Sequence, residues 1–273
     1  MNQGLARIVT AVIGIPLVLG AIYYGSWLFF GFVVLIALVG QVEFVYLLRR
    51  SGWHASAFWS LLVGLAWFAQ YLVDWWQAAL IVVLLMFGAS ILYTGVFRSL
   101  ERFSGTIAAL VYPAIMVGFL IDIRWKANEV LGSQDAFWLV LMLFCLIWAT
   151  DTGAYYTGRS MGKHKLAPSV SPNKTWEGTL GGVFFAIAAA AIFKTQLLPQ
   201  LTWMDVGILS LLGGVWGQLG DLLESAFKRA AGVKDSASIL PGHGGILDRF
   251  DSIIFTVPAY YLYLLHFTPF LGG

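Results

Sequence analysis

Nine stretches of this chain are each apolar over about 20 residues, the length a helix needs to cross the hydrocarbon core of a bilayer. They fall at residues 5–24, 26–48, 56–73, 76–97, 105–123, 136–158, 178–198, 206–227 and 249–271. Hydrophobicity inside them is continuous and does not alternate with period two, so the pattern predicts helices and not an outer-membrane barrel. Charged residues are only 11% of the 273, against 59% hydrophobic, too few to clothe a soluble globule of this size. Aromatics at 16% exclude a disordered chain, and a net charge of +2 argues against a nucleic-acid partner. The expected fold class is all-α: a polytopic integral membrane protein of about nine transmembrane helices. It forms one membrane domain, with spans 1–5 in residues 1–135 and spans 6–9 in residues 136–273.

Lysines and arginines in the connections set the expected orientation. With a cytoplasmic N-terminus, thirteen fall inside: Arg7, Arg49, Arg50, Arg98, Arg102, Arg159, Lys163, Lys165, Lys174, Lys228, Arg229, Lys234 and Arg249. Three, Arg124, Lys126 and Lys194, fall outside. Arg7 ahead of an apolar run resembles a signal peptide, but no small-x-small cleavage pattern follows it, so the first helix is expected to be retained. The single cysteine, Cys145, sits in an apolar run and reads as a small hydrophobe.

Two long cytoplasmic loops are expected, at 159–177 and 228–248, rich in Gly, Ser, Pro, Lys and His. Acids lie near them. Glu43, Asp151, Asp221 and Glu224 are inside spans, and Asp248 and Asp251 begin the last one. A carboxylate within a membrane helix costs at least ~2.5 kcal/mol, so it is expected to face a partner, a cavity or an ion. Gln218, Asp221, Glu224, Ser225 and Lys228 recur at three- and four-residue spacing and share one helix face. Glu43 and Asp122 have no motif company, which suggests packing or solvation at a span end. Asp248–Arg249 and Asp221–Lys228 are also readable as structural ion pairs, and His243 as a loop hydrogen-bonder.

Carboxylates, lysines and glycines gathered on one side suggest phosphate chemistry. Mg²⁺ is held by one or two carboxylates with phosphates and water completing its shell, and lysine or arginine neutralises the remaining charge. Gly242, Gly244 and Gly245 around His243 would let backbone N–H groups approach an anion. Ser171-Pro172-Asn173-Lys174-Thr175-Trp176-Glu177 is a compact run of donors just before a helix start.

The run from Ser225 to Asp251, Ser-Ala-Phe-Lys-Arg, four residues, Lys-Asp, then Leu-Pro-Gly-His-Gly-Gly-Ile-Leu-Asp-Arg-Phe-Asp, resembles the signature of the phosphatidate cytidylyltransferases, or CDP-diacylglycerol synthases. Gly220-Asp221-Leu222-Leu223-Glu224, the Ser171–Gly178 run and Asp151-Thr152-Gly153-Ala154-Tyr155-Tyr156 are similar to that family too. Specific motifs cover about residues 148–252; Ala237-Ser238 stands where many bacterial relatives have Gly-Asn. The resemblance implies that CTP and phosphatidic acid give CDP-diacylglycerol and pyrophosphate in phospholipid synthesis. It further implies Mg²⁺, K⁺ as a second metal, a homodimer, and a cytoplasmic (inner) membrane location with the site facing the cytoplasm. Asp221 and Asp248 would be the metal carboxylates. With Lys174 and His243 they form the catalytic set, His243 binding or orienting phosphate. Asp151, Asn173, Ser225, Lys228, Arg229, Lys234, Asp235, Gly244 and Arg249 would bind substrate.

Two other classes fit part of the pattern. An ion- or proton-coupled transporter would explain membrane carboxylates, but it needs polar groups through both halves of the bilayer, and here the polar stripe stops near Gln218. Another Mg²⁺-dependent lipid transferase, such as a polyprenyl transferase or a CDP-alcohol phosphotransferase, uses acids three residues apart. Asp248 and Asp251 have that gap inside a different signature.

Overall fold

The computed structural model describes residues 3–73, 75–240 and 242–272, with side chains from Thr10 onward apart from Ala11. Two elements of the sequence expectation, the Arg7 side chain and Pro241, lie outside the described residues. The protein is an all-α polytopic membrane protein. Its helices are α1 (Gln3–Tyr24), α2 (Ser26–Arg50), α3 (Ala57–Phe68), α4 (Gln70–Val73), α5 (Trp76–Thr94), α6 (Val96–Ala109), α7 (Met116–Leu131) and α8 (Ser133–Met161). A short hairpin follows, β1 (Lys165–Ala167) and β2 (Ser171–Thr175), then α9 (Trp176–Ile192), α10 (Trp203–Leu211), α11 (Gly217–Ala230) and α12 (Leu247–Phe267).

Among the described residues, six helical runs are long and apolar enough to cross a membrane: Ser26–Arg50, Trp76–Thr94, Val96–Leu131, Ser133–Met161, Trp176–Leu197 and Trp203–Ala230. Val12–Tyr24 and Ala57–Val73 are shorter apolar helices. Each predicted span overlaps one of these or α12. Three runs pass through π-helical turns, at Leu110–Ile115, Phe193–Leu197 and Leu212–Trp216. The first contains Pro113, whose missing N–H is accommodated where the ladder widens.

Several expected loops are helical. Arg98 and Arg102 lie on α6, because the chain reverses at Gly95 alone, in a conformation (φ 77, ψ 168) open only to glycine. Arg159 lies on α8, and Lys228 and Arg229 on α11. Arg124 and Lys126, expected in an outer connection, lie on α7: Arg124 is buried, and Lys126 donates to the Tyr261 hydroxyl at 3.0 Å. The 159–177 loop is largely ordered as the hairpin, antiparallel with Lys165 opposite Thr175 and Ala167 opposite Ser171.

The chain divides into two compact units, each drawn from separate stretches. The first comprises residues 1–12, 31–118 and 227–249. Its core includes Val33, Phe44, Leu47, Val63 and Met86, and Phe44 meets Phe227 edge-on at 4.9 Å. The second comprises residues 13–30, 119–226 and 250–273. There α9 buries only Gly178, Gly182, Ala186 and Ala190, every fourth residue, so its apolar flanks stay exposed. A Cβ on Gly182 would lie 2.8 Å from the Thr150 carbonyl of α8, so the small stripe is what lets these backbones touch.

Candidate active site

In the second unit, β2 alternates its side chains across the strand, so Lys174 turns inward while Asn173 is exposed. Thr175 ends the strand and caps α9, its hydroxyl accepting the Gly178 N–H at 3.1 Å. Lys174 Nζ reaches α11, where it pairs with Asp221 Oδ2 at 2.7 Å and donates to the Gln218 carbonyl at 3.3 Å. Both side chains are partly open, 21% for Lys174 and 34% for Asp221, so the pair is accessible and worth little to stability. Asp221 Oδ1 accepts from the Ser225 hydroxyl at 3.3 Å. Gln218 is fixed by donating to the Gly214 carbonyl at 2.8 Å and accepting from Thr179 at 2.8 Å. Its helix face is the predicted one: Gln218, Glu224 and Ser225 are buried. Asp151 is exposed on α8, ten positions before the helix ends at Met161 and so further from its end than the predicted span gave.

In the first unit, α11 stops at a left-handed glycine, Gly232 (φ +66), with Val233 N–H on the Lys228 carbonyl and Gly232 N–H on that of Arg229. Lys228 in that last turn pairs with Asp248 Oδ1 at 2.6 Å. This pair is closed, with side-chain exposures of 12% and 2%. Asp248 Oδ2 accepts three more bonds at 2.8 Å, from the Ser236 N–H, the Ser236 hydroxyl and the Gly245 N–H. The carboxylate therefore has four donors within reach, one of them the Ser236 hydroxyl that Glu43 also faces. Both ion pairs differ from those open in the sequence: Asp248 takes Lys228, not Arg249, and Asp221 takes Lys174, not Lys228. Arg249 Nε donates instead to the His243 carbonyl at 2.9 Å.

The residue that sequence reasoning passed over is Glu43. Of the two readings open for it, packing and solvation at a span end, the structure shows packing: it is buried, 2% exposed. Its carboxylate accepts from Ile246 N–H at 2.9 Å, Leu247 N–H at 2.7 Å and the Ser236 hydroxyl at 2.9 Å. The first N–H of α12, the Ile246 N–H just before it and the Ser236 hydroxyl thus close on one acid of α2. Gly245 is required there, since a Cβ would collide with Ser236 Oγ and the Glu43 carboxylate. The signal was present: an acid inside an apolar run must find donors.

The glycine loop is less open to anions than its composition suggests. His243 N–H goes to the Leu240 carbonyl, Gly245 N–H to Asp248, and the next two to Glu43. Gly244, at φ +83, offers its carbonyl to Leu240 N–H. His243 is half-buried. Arg229, Lys234, Asp235 and Arg249 are exposed, as cations and an acid must be to meet a soluble ligand.

Among the described residues, no three His, Cys, Asp or Glu side chains gather as a cation cage. A Mg²⁺ here would rest on one or two carboxylates and on substrate phosphates, which is the ion's usual habit. Asp221 fits by donor type and exposure. Asp248 fits only by exchanging Lys228 for the cation. Asp221 belongs to one unit and Asp248 to the other, and each is characterised by its own contacts.

Residues 5–267 match the model of the Cytidylyltransferase family, a family of nucleotidyltransferases to which this chain belongs. More particularly, the chain is 41% identical over 194 residues to "Phosphatidate cytidylyltransferase" of Bacillus subtilis strain 168, covering 70% of this chain and 69% of that protein. The like-named protein of Staphylococcus haemolyticus strain JCSC1435 is 33% identical over 262 residues, 95% of this chain and 98% of its own. That of Staphylococcus aureus strain COL is 51% identical over 127 residues, 46% of this chain and 48% of its own.

Proposed function

We propose that the protein joins CTP to phosphatidate, giving CDP-diacylglycerol and pyrophosphate for phospholipid synthesis. The observation that carries this is the alignment of nearly the whole chain with a phosphatidate cytidylyltransferase, and the local chemistry agrees with it. Both substrates are polyanions, so their approach needs cations. Lys174 and Lys228 are ammonium groups already oriented by carboxylates, able to exchange an aspartate oxygen for a phosphate oxygen. The phosphatidate phosphate is a monoester with a second pKa of about 6, so it is a ready nucleophile near neutral pH and no strong base is required. Its oxygen bonds to the α-phosphorus of CTP, and the bond from that phosphorus to the bridging oxygen breaks to release pyrophosphate.

Mg²⁺, when bound, supplies Lewis-acid charge neutralisation at the phosphoryl oxygens. Asp221 and Asp248 are the candidate ligands, each from its own surroundings. K⁺ as second metal and a homodimer belong to the same proposal. So do nine spans with a cytoplasmic N-terminus and a site facing the cytosol of the inner membrane, supported by the thirteen-to-three split of basic residues and by the source of CTP. The test is pyrophosphate release by purified protein given CTP, with and without phosphatidate and Mg²⁺. Release that needs both supports the reading; release indifferent to phosphatidate overturns it.

A further inference from the structure

At the other end of α8 from the hairpin lies a polar feature that the nucleotidyl transfer does not use. Ser133 begins this helix of 29 residues and Met161 ends it, about 43 Å apart at 1.5 Å per residue. Beside Ser133, the guanidinium of Arg124 is buried, the residue being 2% exposed. Nε donates to the Ile22 carbonyl at 3.2 Å and Nη2 to Ser133 Oγ at 3.3 Å. A guanidinium has five N–H donors, and among the described residues no carboxylate lies within ion-pair distance of this one. Burying such a charge uncompensated is costly.

The chain makes room for it. Gly25 has φ +59, and a Cβ there would stand 2.6 Å from Arg124 Nη2. Ser26 follows at φ +47, the one non-glycine residue with positive φ among those described. Arg124 lines a cavity of about 300 Å³, and Ser26, Asn128, Glu129 and Ser133 supply its other polar walls. Tyr24 and Trp125 line it too. Gly132 gives α8 no side-chain cap, so the positive end of that helix adjoins the cavity at Ser133.

We infer that this cavity binds a phosphate–ammonium zwitterion of the phosphoethanolamine kind, the phosphate on Arg124 and the ammonium on Glu129. One buried cation and one exposed acid in the same cavity are complementary to a ligand carrying both charges, and a second anion alone would face Glu129. The aromatic walls suit the methylenes and the ammonium. Tyr23, Tyr24, Trp27 and Trp125 cluster at this end, with Trp27 and Trp125 edge-on at 5.4 Å, as residues at a membrane–water interface do. A phospholipid headgroup is therefore the expected source, with the free zwitterion as the soluble counterpart.

The test uses the full chain purified in a maltoside detergent, following the thermal unfolding midpoint. The probes are dihexanoyl phosphatidylethanolamine, dihexanoyl phosphatidylglycerol, free phosphoethanolamine and inorganic phosphate. The ethanolamine lipid should raise the midpoint in a saturable way, at about tenfold lower concentration than the glycerol lipid. Glu129→Gln, at an exposed position, should erase that difference, and Arg124→Gln should abolish the response to both lipids. A response to free phosphoethanolamine equal to that of the lipid keeps the zwitterion and overturns the lipid source. Equal responses to the two lipids or to inorganic phosphate, no response, or one unchanged in Glu129→Gln overturn the site, even if Arg124→Gln fails to fold.

Discussion

Glu43 accepts the backbone N–H of Leu247 at 2.7 Å across 204 positions of chain. One acid in the second helix thereby fixes the start of the last helix, and with it Asp248 in the following position. Ser236 stands between the two carboxylates, and its hydroxyl, with one hydrogen, serves one of them at a time.

Glu43→Ala should leave two N–H groups without their acceptor and cost about 2–5 kcal/mol, measured as a lowered unfolding midpoint in detergent. Glu43→Gln keeps the shape and should fold better, yet reduce kcat by roughly 10- to 100-fold, as loss of a residue that orients a reacting group does. Full turnover in Glu43→Gln would mean that the loop does not need this acid.

Lys174 and Lys228 should separate stability from activity. Lys228→Ala strands a buried carboxylate and should destabilise by about 3–5 kcal/mol. Lys174→Ala breaks an accessible pair and should cost at most about 1 kcal/mol, while raising KM for CTP or phosphatidate. Matching midpoints for the two variants, or unaltered constants in Lys174→Ala, would contradict this division.

Asp221→Asn should abolish transfer of label from CTP to lipid, at least about a hundredfold, while the protein keeps its elution volume and helical content. In the unaltered protein, chelation of Mg²⁺ should have the same effect and added Mg²⁺ should reverse it. Near-normal turnover by Asp221→Asn would remove this residue from the metal site.

Gly220→Ala tests the packing of α11. A Cβ there would lie 2.7 Å from Cβ of Phe255 and 2.8 Å from the Asp251 carbonyl, backbone that cannot retreat easily. A loss of about 1–3 kcal/mol is expected, seen as a lowered unfolding midpoint.

Hydrophobicity made the helices legible, because crossing a bilayer demands length and apolarity and little else. It did not mark where helices continue beyond the apolar stretch, which is why Arg102 and Arg124 were expected in connections. The signature residues were legible as a set, but their pairings were not. Asp221 and Lys228 are two turns apart on one helix, about 10 Å along its axis, whereas Lys174 arrives from a hairpin 47 positions earlier. Proximity of that kind is written in tertiary structure. Glu43 was readable only as an anomaly, since the donors that satisfy it lie some two hundred positions away.

Gly25, Gly95 and Gly132 each stand alone between two helices, so the polypeptide has no slack at those corners. An epitope tag, a fluorescent insert or a protease would have nothing to grip there without unwinding a helix. Room for such handles lies in the connections at residues 51–56 and 198–202, away from the hairpin and residues 231–246, where the signature residues sit. An internal label is therefore best placed in one of those two connections.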